Sequence, residues 1–202
     1  MSFLLHSSTA RLPTRFGEFN MHVFTDQRDQ SMHVALTCGE VQAASNPLVR
    51  VHSECLTGDV FGSTRCDCGE QLHLAQQQVQ SQPPGLIVYL KNHEGRGIGL
   101  NNKMRAYALQ DQGMDTVDAN LALGLPVDAR SYEVAAAILQ FFDIHQIRLL
   151  SNNQQKKAAL QALGIAVSEQ LPLLTPPNAD NQHYLHTKSS RLGHLIPDRS
   201  ES

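Results

Sequence analysis

The chain has 202 residues, of which 41% are hydrophobic and 17% charged, and its formal net charge at pH 7 is −3. No stretch approaches the ~20 apolar residues of a membrane-spanning helix. A general nucleic-acid binder would usually be clearly basic. Length and composition therefore predict a globular protein of one large or two small domains, with neither a membrane nor a nucleic acid as partner.

Apolar residues at alternating or continuous positions predict strands in the first half of the chain. The run 86–90 is continuously apolar, which is typical of a strand that is buried on both faces. In chain order, the predicted elements are strands at 17–24, 33–39 and 48–52, a helix at 71–80 and a strand at 86–90.

The second half alternates between helices and strands. The predicted elements are helices at 100–112 and 131–142, a strand at 147–150, a helix at 154–163, a strand at 165–168 and a last helix after the loop 172–181. Ser131 is a plausible N-cap for its helix. We therefore expect one mixed α/β domain over residues 1–196, with a mixed sheet flanked by helices, and a disordered tail at 197–202.

Three of the four cysteines, Cys55, Cys66 and Cys68, lie close together in the chain. A disulfide between Cys66 and Cys68 would be strained, because only one residue separates them. The N-terminal run Phe3-Leu4-Leu5 is too short for a signal peptide, so we expect a cytoplasmic protein with reduced thiols. Clustered thiols then favour a metal site or catalysis. Three thiolates can hold zinc and leave its fourth position open, as in catalytic zinc sites.

Cys38 lies apart from the other cysteines in a strand-like run. We interpret it as a small buried hydrophobic residue. A closed site with Cys38 as a fourth ligand is the alternative.

A glycine-rich turn follows the buried strand, at residues 94–99, and opens a helix. Glycines allow the backbone to approach an oxyanion closely, and Arg96 adds a planar fork for phosphate. The spacing matches neither the Rossmann nor the Walker fingerprint. Together with Lys91, Lys103 and Arg105 nearby, the turn predicts a discrete anionic ligand. A solvated helix face accounts for Lys103 more readily than for Arg96.

Most of the other polar residues, taken alone, have an ordinary structural interpretation. Asp128 and Arg130 are typical of an exposed turn with a helix-capping acid, and Tyr107 of core packing. Ser151 follows a buried strand, and strand ends in α/β folds are favoured ligand sites. Lys156, on the next helix, would by itself be interpreted as solvated.

Four segments together resemble the GTP cyclohydrolase II family, the zinc enzymes that open the riboflavin pathway. They are 50–59 (RVHSECLTGD), 65–69 (RCDCG), 94–96 (EGR) and 105–113 (RAYALQDQG). The resemblance extends from about Leu12 to Leu195. It is to the stand-alone form, without the butanone-phosphate synthase domain that is often fused to this family.

The resemblance implies roles for individual residues. Cys55, Cys66 and Cys68 would bind one zinc ion per chain. Asp128 would be a general base, Arg130 the nucleophile toward the α-phosphorus, and Tyr107 would help to complete the ring chemistry near the purine. The residues expected to contact GTP are Arg50, Val51, His52, Ser53, Glu54, Gln71, Glu94, Gly95, Arg96, Thr116, Ser151 and Lys156.

The family reaction opens the guanine imidazole ring and releases formate and pyrophosphate. The resemblance also implies Mg²⁺ with the triphosphate and a homodimer. Zinc would activate water for attack on C8. The nucleophilic role of Arg130 is physically demanding, because a guanidinium stays protonated with a pKa above ~12. A phosphate clamp accounts for the same requirement without a covalent step.

The chain departs from the family pattern at His93, Leu125, Ser151, Gln154 and Gln155. Glutamine is common in the family at the position of His93, and threonine at that of Ser151. These departures affect the expected GTP affinity and loop shape more than the reaction. Two alternative functions stay open: a non-catalytic zinc or nucleotide-binding module, and a related cyclohydrolase that stops at the formamidopyrimidine.

Overall fold

The computed structural model describes residues 3–193, which form a seven-stranded mixed sheet with helices on both faces. The strands are β1 (Leu4–Thr14), β2 (Gly17–Asp26), β3 (Met32–Cys38), β4 (Leu48–Ser53), β5 (Gly85–Leu90), β6 (Gln146–Leu150) and β7 (Ala166–Leu171). The helices are α1 (Leu56–Asp59), α2 (Cys68–Ser81), α3 (Gly99–Gln110), α4 (Thr116–Ala122), α5 (Glu133–Phe141), α6 (Gln154–Ala162) and α7 (Gln182–Leu192). The predicted mixed α/β class and strand-rich first half are confirmed. The predicted boundary at residue 196 and the tail 197–202 lie outside the described residues.

The strand order is β1-β2-β3-β5-β4-β6-β7. The first four strands in this order pair antiparallel, and β5, β4, β6 and β7 pair parallel. The parallel half follows from the helices that connect its strands, because a parallel pair needs a long crossover.

Two hydrophobic clusters fill the two faces of the sheet. On one face, Ile138 and Leu139 of α5 pack with Val49 and Val51 of β4. On the other face, Ala75 and Val79 of α2 form a smaller core with Leu48 and Ile87.

Successive strand residues point to opposite faces, so the alternation along β4 decides where its polar residues lie. Val49 and Val51 belong to the α5 face, whereas Arg50 and His52 lie on the α2 face with Leu48. Both polar side chains are almost fully buried.

The connections of the parallel strands diverge at β4 and β6. Helix α2 leads from β4 to β5, and α6 leads from β6 to β7 on the opposite face. Ligands in open α/β sheets bind at such a switch point, outside the carboxyl ends of the strands. Arg50 bridges the two strands there, because its Nη1 donates to the Leu150 carbonyl at 3.0 Å.

The structure adds three elements that the sequence pattern did not predict: β1, the single-turn helix α1, and α4. Strand β1 is largely polar and exposed, and it is defined by its long pairing with β2. Helix α4 is short and begins after Asp115, whose carboxylate accepts hydrogen bonds from the amides of Val117 and Asp118. Only the tertiary setting of these segments distinguishes them from loops.

The predicted N-cap of α5 is wrong by one residue. Tyr132 occupies that position, and α5 begins at Glu133. The Ser131 hydroxyl does accept a hydrogen bond from the Glu133 amide, at 3.3 Å. No helix within residues 3–193 is long and apolar enough to cross a membrane.

Candidate active site

A cleft of about 990 Å³, including its open mouth, lies at the carboxyl ends of β4, β5 and β6. It is lined by all three clustered cysteines, by Tyr107 and Arg130, and by every predicted substrate-contacting residue except Val51. The Val51 side chain belongs to the α5-side core. Asp128 does not line the cleft either, but it binds Arg130, which does.

The three cysteines converge at one end of this cleft. Cys55 occupies the N-cap position of α1, and Cys68 is the first residue of α2. The ligand atoms of Cys55, Cys66 and Cys68 all lie within 4.8 Å of one another. A Cβ at Gly58 would lie 2.9 Å from the Cys66 sulfur, so glycine leaves the space that the sulfurs need. Soft thiolates at this spacing fit a zinc ion.

Cys38 lies on β3, where it packs against the α2-side core. The group of potential metal ligands found within residues 3–193 does not include it. The interpretation of Cys38 as a small buried hydrophobic residue is confirmed in its packing with the core, but Cys38 is only partly buried.

The three clustered thiols differ in pKa. Hydrogen bonds from Cys66 and Cys68 lower the pKa of the Cys55 thiol, and Lys103 lowers it further. The hydrogen bond with Cys55 raises the pKa of Cys66 to about 11, and that of Cys68 is also raised. Because metal ligation requires thiolates, a bound cation would displace the remaining protons.

Lys103 is buried against this cluster, so its interpretation as part of a solvated helix face is wrong. It is 7% exposed, and its Nζ lies 3.1 Å from the Cys55 sulfur and 2.5 Å from Glu94 Oε1. Burial alone would lower the pKa of Lys103, but the Cys55 thiolate and Glu94 raise it. Helical spacing was the signal available in the sequence, because Lys103, Ala106, Tyr107 and Gln110 all line the cleft.

Glu94 connects the glycine-rich turn to the cysteine segment. Its Oε2 accepts a hydrogen bond from the Leu56 amide at 2.6 Å. Gly95 and Arg96 both have positive φ angles, 59° and 65°, in the single 3₁₀ turn that follows β5. The predicted helix begins after this turn, at Gly99.

A chain of buried polar contacts joins β4 to α2. Arg50 Nη2 donates to Gln71 Oε1 at 2.8 Å, and Gln71 Nε2 donates to Asp67 Oδ2 at 2.7 Å. Asp67 separates Cys66 from Cys68 in the sequence. Arg50 and Gln71, which are both predicted to contact the substrate, are thus linked to Asp67 of the metal-binding segment.

Arg130 is held by Asp128 through two side-chain hydrogen bonds. Its Nε donates to Oδ1 at 2.9 Å, and its Nη2 donates to Oδ2 at 2.5 Å. Burial opposes the charge of Arg130, but the bond to Asp128 raises its pKa above the ordinary value. Asp128 also accepts from the Arg130 amide, so its expected role as a helix-capping acid is wrong.

Ser53 and His93 lie beside Arg130. Ser53 Oγ is 3.1 Å from His93 Nδ1 and 3.5 Å from Arg130 Nη1. Burial lowers the pKa of His93 to about 3, with further contributions from Arg130 and Lys156. His93 is therefore a neutral side chain at ordinary pH.

Three cations of the cleft have no carboxylate partner within the described residues: Arg50, Arg96 and Lys156. Both terminal nitrogens of Arg96 are buried, and among residues 3–193 they have no hydrogen-bond partner. Lys156 Nζ donates to the Val51 carbonyl at 2.6 Å, and burial lowers its pKa. This arrangement suits an anion with several negative charges.

The remaining predicted substrate-contacting residues also line the cleft. Glu54 accepts from the Asn92 amide at 2.9 Å, and His52 Nε2 is 3.0 Å from Asp59. Thr116 is the first residue of α4. The Ser151 hydroxyl accepts from the Asn153 amide at 3.1 Å.

Comparison with known proteins gives the same family as the sequence motifs. The family model for GTP cyclohydrolase II matches residues 6–172. This chain belongs to the GTP cyclohydrolase II family.

Individual members of the GTP cyclohydrolase II family are similar over nearly the whole chain. A GTP cyclohydrolase-2 of Neisseria meningitidis serogroup B is 52% identical over 96% of this chain and 98% of its own length. One from Picrophilus torridus is 48% identical over 94% of this chain and 97% of its own. A riboflavin biosynthesis protein RibBA of Salinispora tropica is 50% identical over 93% of this chain, which covers 47% of that protein.

The family resemblance assigned no roles to several residues that line the cleft. Asn120, Asn152, Tyr184 and Lys188 are among them. Tyr184 and Lys188 lie four residues apart on α7, the spacing that places two side chains on one helix face. That spacing was visible in the sequence, but the proximity of α7 to the cysteines was not.

Proposed function

We propose that this chain is a zinc-dependent GTP cyclohydrolase II. It hydrolyses GTP to formate, pyrophosphate and 2,5-diamino-6-(5-phosphoribosylamino)pyrimidin-4(3H)-one, the first step of riboflavin biosynthesis. Family membership supports the substrate and the pathway. The observation that carries the proposal is that one cleft contains a thiol cluster and a separate group of buried cations.

The cations form the triphosphate-binding end. Arg50, Arg96 and Lys156 have no carboxylate partner within residues 3–193, so a bound phosphate would not need to break an ion pair to reach them. Arg96 has the strongest requirement for a ligand, because its two terminal nitrogens are buried and unpaired among these residues. Mg²⁺ would accompany the triphosphate and share its charge.

Arg130 and Asp128 act at the α-phosphate in this proposal. Asp128 binds the guanidinium through two hydrogen bonds and fixes its orientation. Because Arg130 remains protonated in this contact, the clamp role fits its charge better than the covalent role. Burial raises the pKa of Asp128, but the contact with Arg130 lowers it below the ordinary value, so Asp128 is ionised, the form that a general base requires.

The thiol cluster forms the ring-opening end. Cys55, Cys66 and Cys68 would hold one zinc ion, which when bound supplies a Lewis acid that activates water for attack at C8 of the guanine. Tyr107 lines the cleft on the same helix face as Lys103, which contacts Cys55. Burial raises the pKa of Tyr107, so its hydroxyl keeps its proton and can donate a hydrogen bond to the opening ring.

A homodimer and a cytoplasmic location complete the proposal. The homodimer comes from the resemblance of the chain to the family, and the cytoplasmic location is the expectation from the sequence analysis. Sedimentation of the purified protein would test the dimer independently of the activity.

Product analysis with two nucleotides tests the function. GTP and ATP have the same triphosphate, so Arg50, Arg96 and Lys156 cannot distinguish them. A site that hydrogen-bonds the guanine edge leaves polar groups unpaired when adenine enters, which can reject it by ~10⁴-fold. We expect formate and pyrophosphate from GTP in the presence of zinc and Mg²⁺, and almost none from ATP.

The alternatives predict different products. A cyclohydrolase that stops early would give the formamidopyrimidine and no formate. A non-catalytic module would bind GTP and leave it intact. Comparable formate release from ATP and GTP would contradict guanine specificity.

A further inference from the structure

Lys103 donates a hydrogen bond from its ammonium to a sulfur of the thiol cluster. Its Nζ lies 3.1 Å from the Cys55 sulfur, 2.8 Å from Thr57 Oγ1 and 2.5 Å from Glu94 Oε1. An ammonium has three donor hydrogens and no acceptor, so these contacts account for all of them. The direction in which Lys103 points is therefore fixed.

Glu94 holds Lys103 against the cysteine segment. One Glu94 oxygen accepts from Lys103, and the other accepts from the Leu56 amide, which directly follows Cys55 in the chain. The Gly95 amide donates to the first oxygen at 3.2 Å. The ammonium and the sulfur are thus attached to the same local framework, and neither can move away alone.

The net charge of a three-thiolate zinc centre indicates what the contact between Lys103 and Cys55 would do. Three thiolates and one divalent zinc ion have a net charge of −1, which makes the metal a weaker Lewis acid than one held by three neutral histidines. A charge-assisted hydrogen bond withdraws electron density from the sulfur that receives it. Partners that bind metal ligands in this way commonly change metal affinity or activity by 10–100-fold.

We infer that Lys103 is a positioning residue for the metal centre: its ammonium neutralises the anionic thiolate site and, through the Cys55 sulfur, strengthens the bound metal as an electrophile. This inference rests on the proposed zinc site. It assigns Lys103 no contact with the substrate.

Cobalt substitution tests this inference without measuring turnover. Metal-depleted wild-type protein and the variants Lys103→Met and Lys103→Arg would be titrated with Co²⁺, and their absorption spectra recorded. Lys157→Met is the matched control, since Lys157 lies on α6 and does not line the cleft. Methionine keeps most of the length of the side chain and removes the charge and the donors.

We expect Lys103→Met to change the affinity for Co²⁺ by about 10–100-fold relative to wild type. Its sulfur-to-cobalt charge-transfer band should move to longer wavelength, because a thiolate without its hydrogen bond has higher-energy lone pairs. Lys103→Arg should recover part of the shift, and Lys157→Met should match wild type.

The single variant leaves Glu94 without its buried cation, which can destabilise the fold. The double variant Lys103→Met/Glu94→Gln removes both charges and leaves two neutral side chains, so neither is a buried unpaired charge. A shifted band in the folded double variant supports the inference. Unchanged affinity and an unchanged band in that variant would overturn it. If wild-type protein failed to hydrolyse GTP while the band still responded to Lys103, the proposed function would fail and this inference would stand.

Discussion

Lys188 on α7 donates a 2.5 Å hydrogen bond from its buried ammonium to the carboxylate of Asp67, the residue between Cys66 and Cys68. The two residues are 121 positions apart in the chain. Asp67 also accepts from Gln71, so this contact ties α7 to the metal-binding segment and to β4.

Lys188→Met should therefore destabilise the protein. Removal of one partner from a buried ion pair leaves an uncompensated charge and costs about 3–5 kcal/mol. Urea unfolding of metal-depleted protein measures the change. Arg11→Met is the control, because Arg11 forms an exposed ion pair with Glu18 and should contribute far less. Equal stability of the two variants would show that the Asp67 contact is not important for the fold.

The cysteines should differ sharply in their effect on metal content. Cys66→Ser should lose the metal, because its sulfur is one of three that lie within 4.8 Å of one another. Cys38→Ser should retain about one zinc per chain, since Cys38 packs with the α2-side core. Elemental analysis of both purified variants checks this. Loss of zinc from Cys38→Ser would indicate a closed four-cysteine site.

Formate release and pyrophosphate release should be separable, because they depend on opposite ends of the cleft. We expect zinc-depleted protein to release pyrophosphate from GTP without formate, and Arg130→Ala to release no pyrophosphate. Lysine is a poor substitute for a bidentate fork, so Arg130→Lys should recover little. Quantification of both products in single-turnover experiments measures this.

Arg105→Ala is the control for Arg130, because Arg105 is an exposed arginine whose guanidinium bonds Asn102. It should keep both activities. Normal turnover of Arg130→Ala would remove Arg130 from the mechanism, and a nucleotidyl adduct trapped on Arg130 would favour the covalent role.

Tyr107→Phe should slow completion of the reaction more than it weakens GTP binding. Phenylalanine keeps the ring that packs 4.5 Å from the Arg65 guanidinium and removes only the hydroxyl. Rapid-quench analysis should show the formamide intermediate accumulating, while the Kd for GTP stays within a few-fold of wild type. Tyr107→Leu, which also removes the ring, should weaken binding as well. Unchanged formate release from Tyr107→Phe would show that the hydroxyl has no role.

His93 should make stability depend on pH. Burial lowers its pKa to about 3, against about 6.5 in the unfolded chain. Between these values the unfolded state binds a proton that the folded state does not, so stability is lost as the pH falls below about 6.5. The loss is at most about 1.4 kcal/mol per pH unit.

His93→Gln removes this contribution to the pH dependence of stability, and the glutamine amide can still hydrogen-bond Ser53. The free energy of unfolding of the variant, measured at equal metal load, should therefore fall less than that of wild type between pH 7 and pH 5. His145→Gln, at an exposed histidine, controls for the general loss of an imidazole. Parallel pH curves for wild type and His93→Gln would show that His93 is protonated in the folded state as well.

Local patterns in the sequence were enough for the central elements and for the metal-binding cluster. The continuous apolar run at 86–90 predicted the central strand β5, because a strand buried on both faces needs no polar alternation. The spacing of Cys55, Cys66 and Cys68 predicted one thiol cluster, and the structure gives that cluster. The family motifs then indicated the surrounding residues.

Tertiary structure alone decided which other charges belong to the site. Lys103 and Lys188 have ordinary helical surroundings in the sequence, yet both ammonium groups are buried against the cysteine segment. The same limit applies to β1, which is a strand because β2 pairs with it. Residue spacing shows which side chains share a helix face, as Lys103 and Tyr107 do. Whether that face is solvated depends on which distant element packs against it, and spacing within the segment does not contain this information.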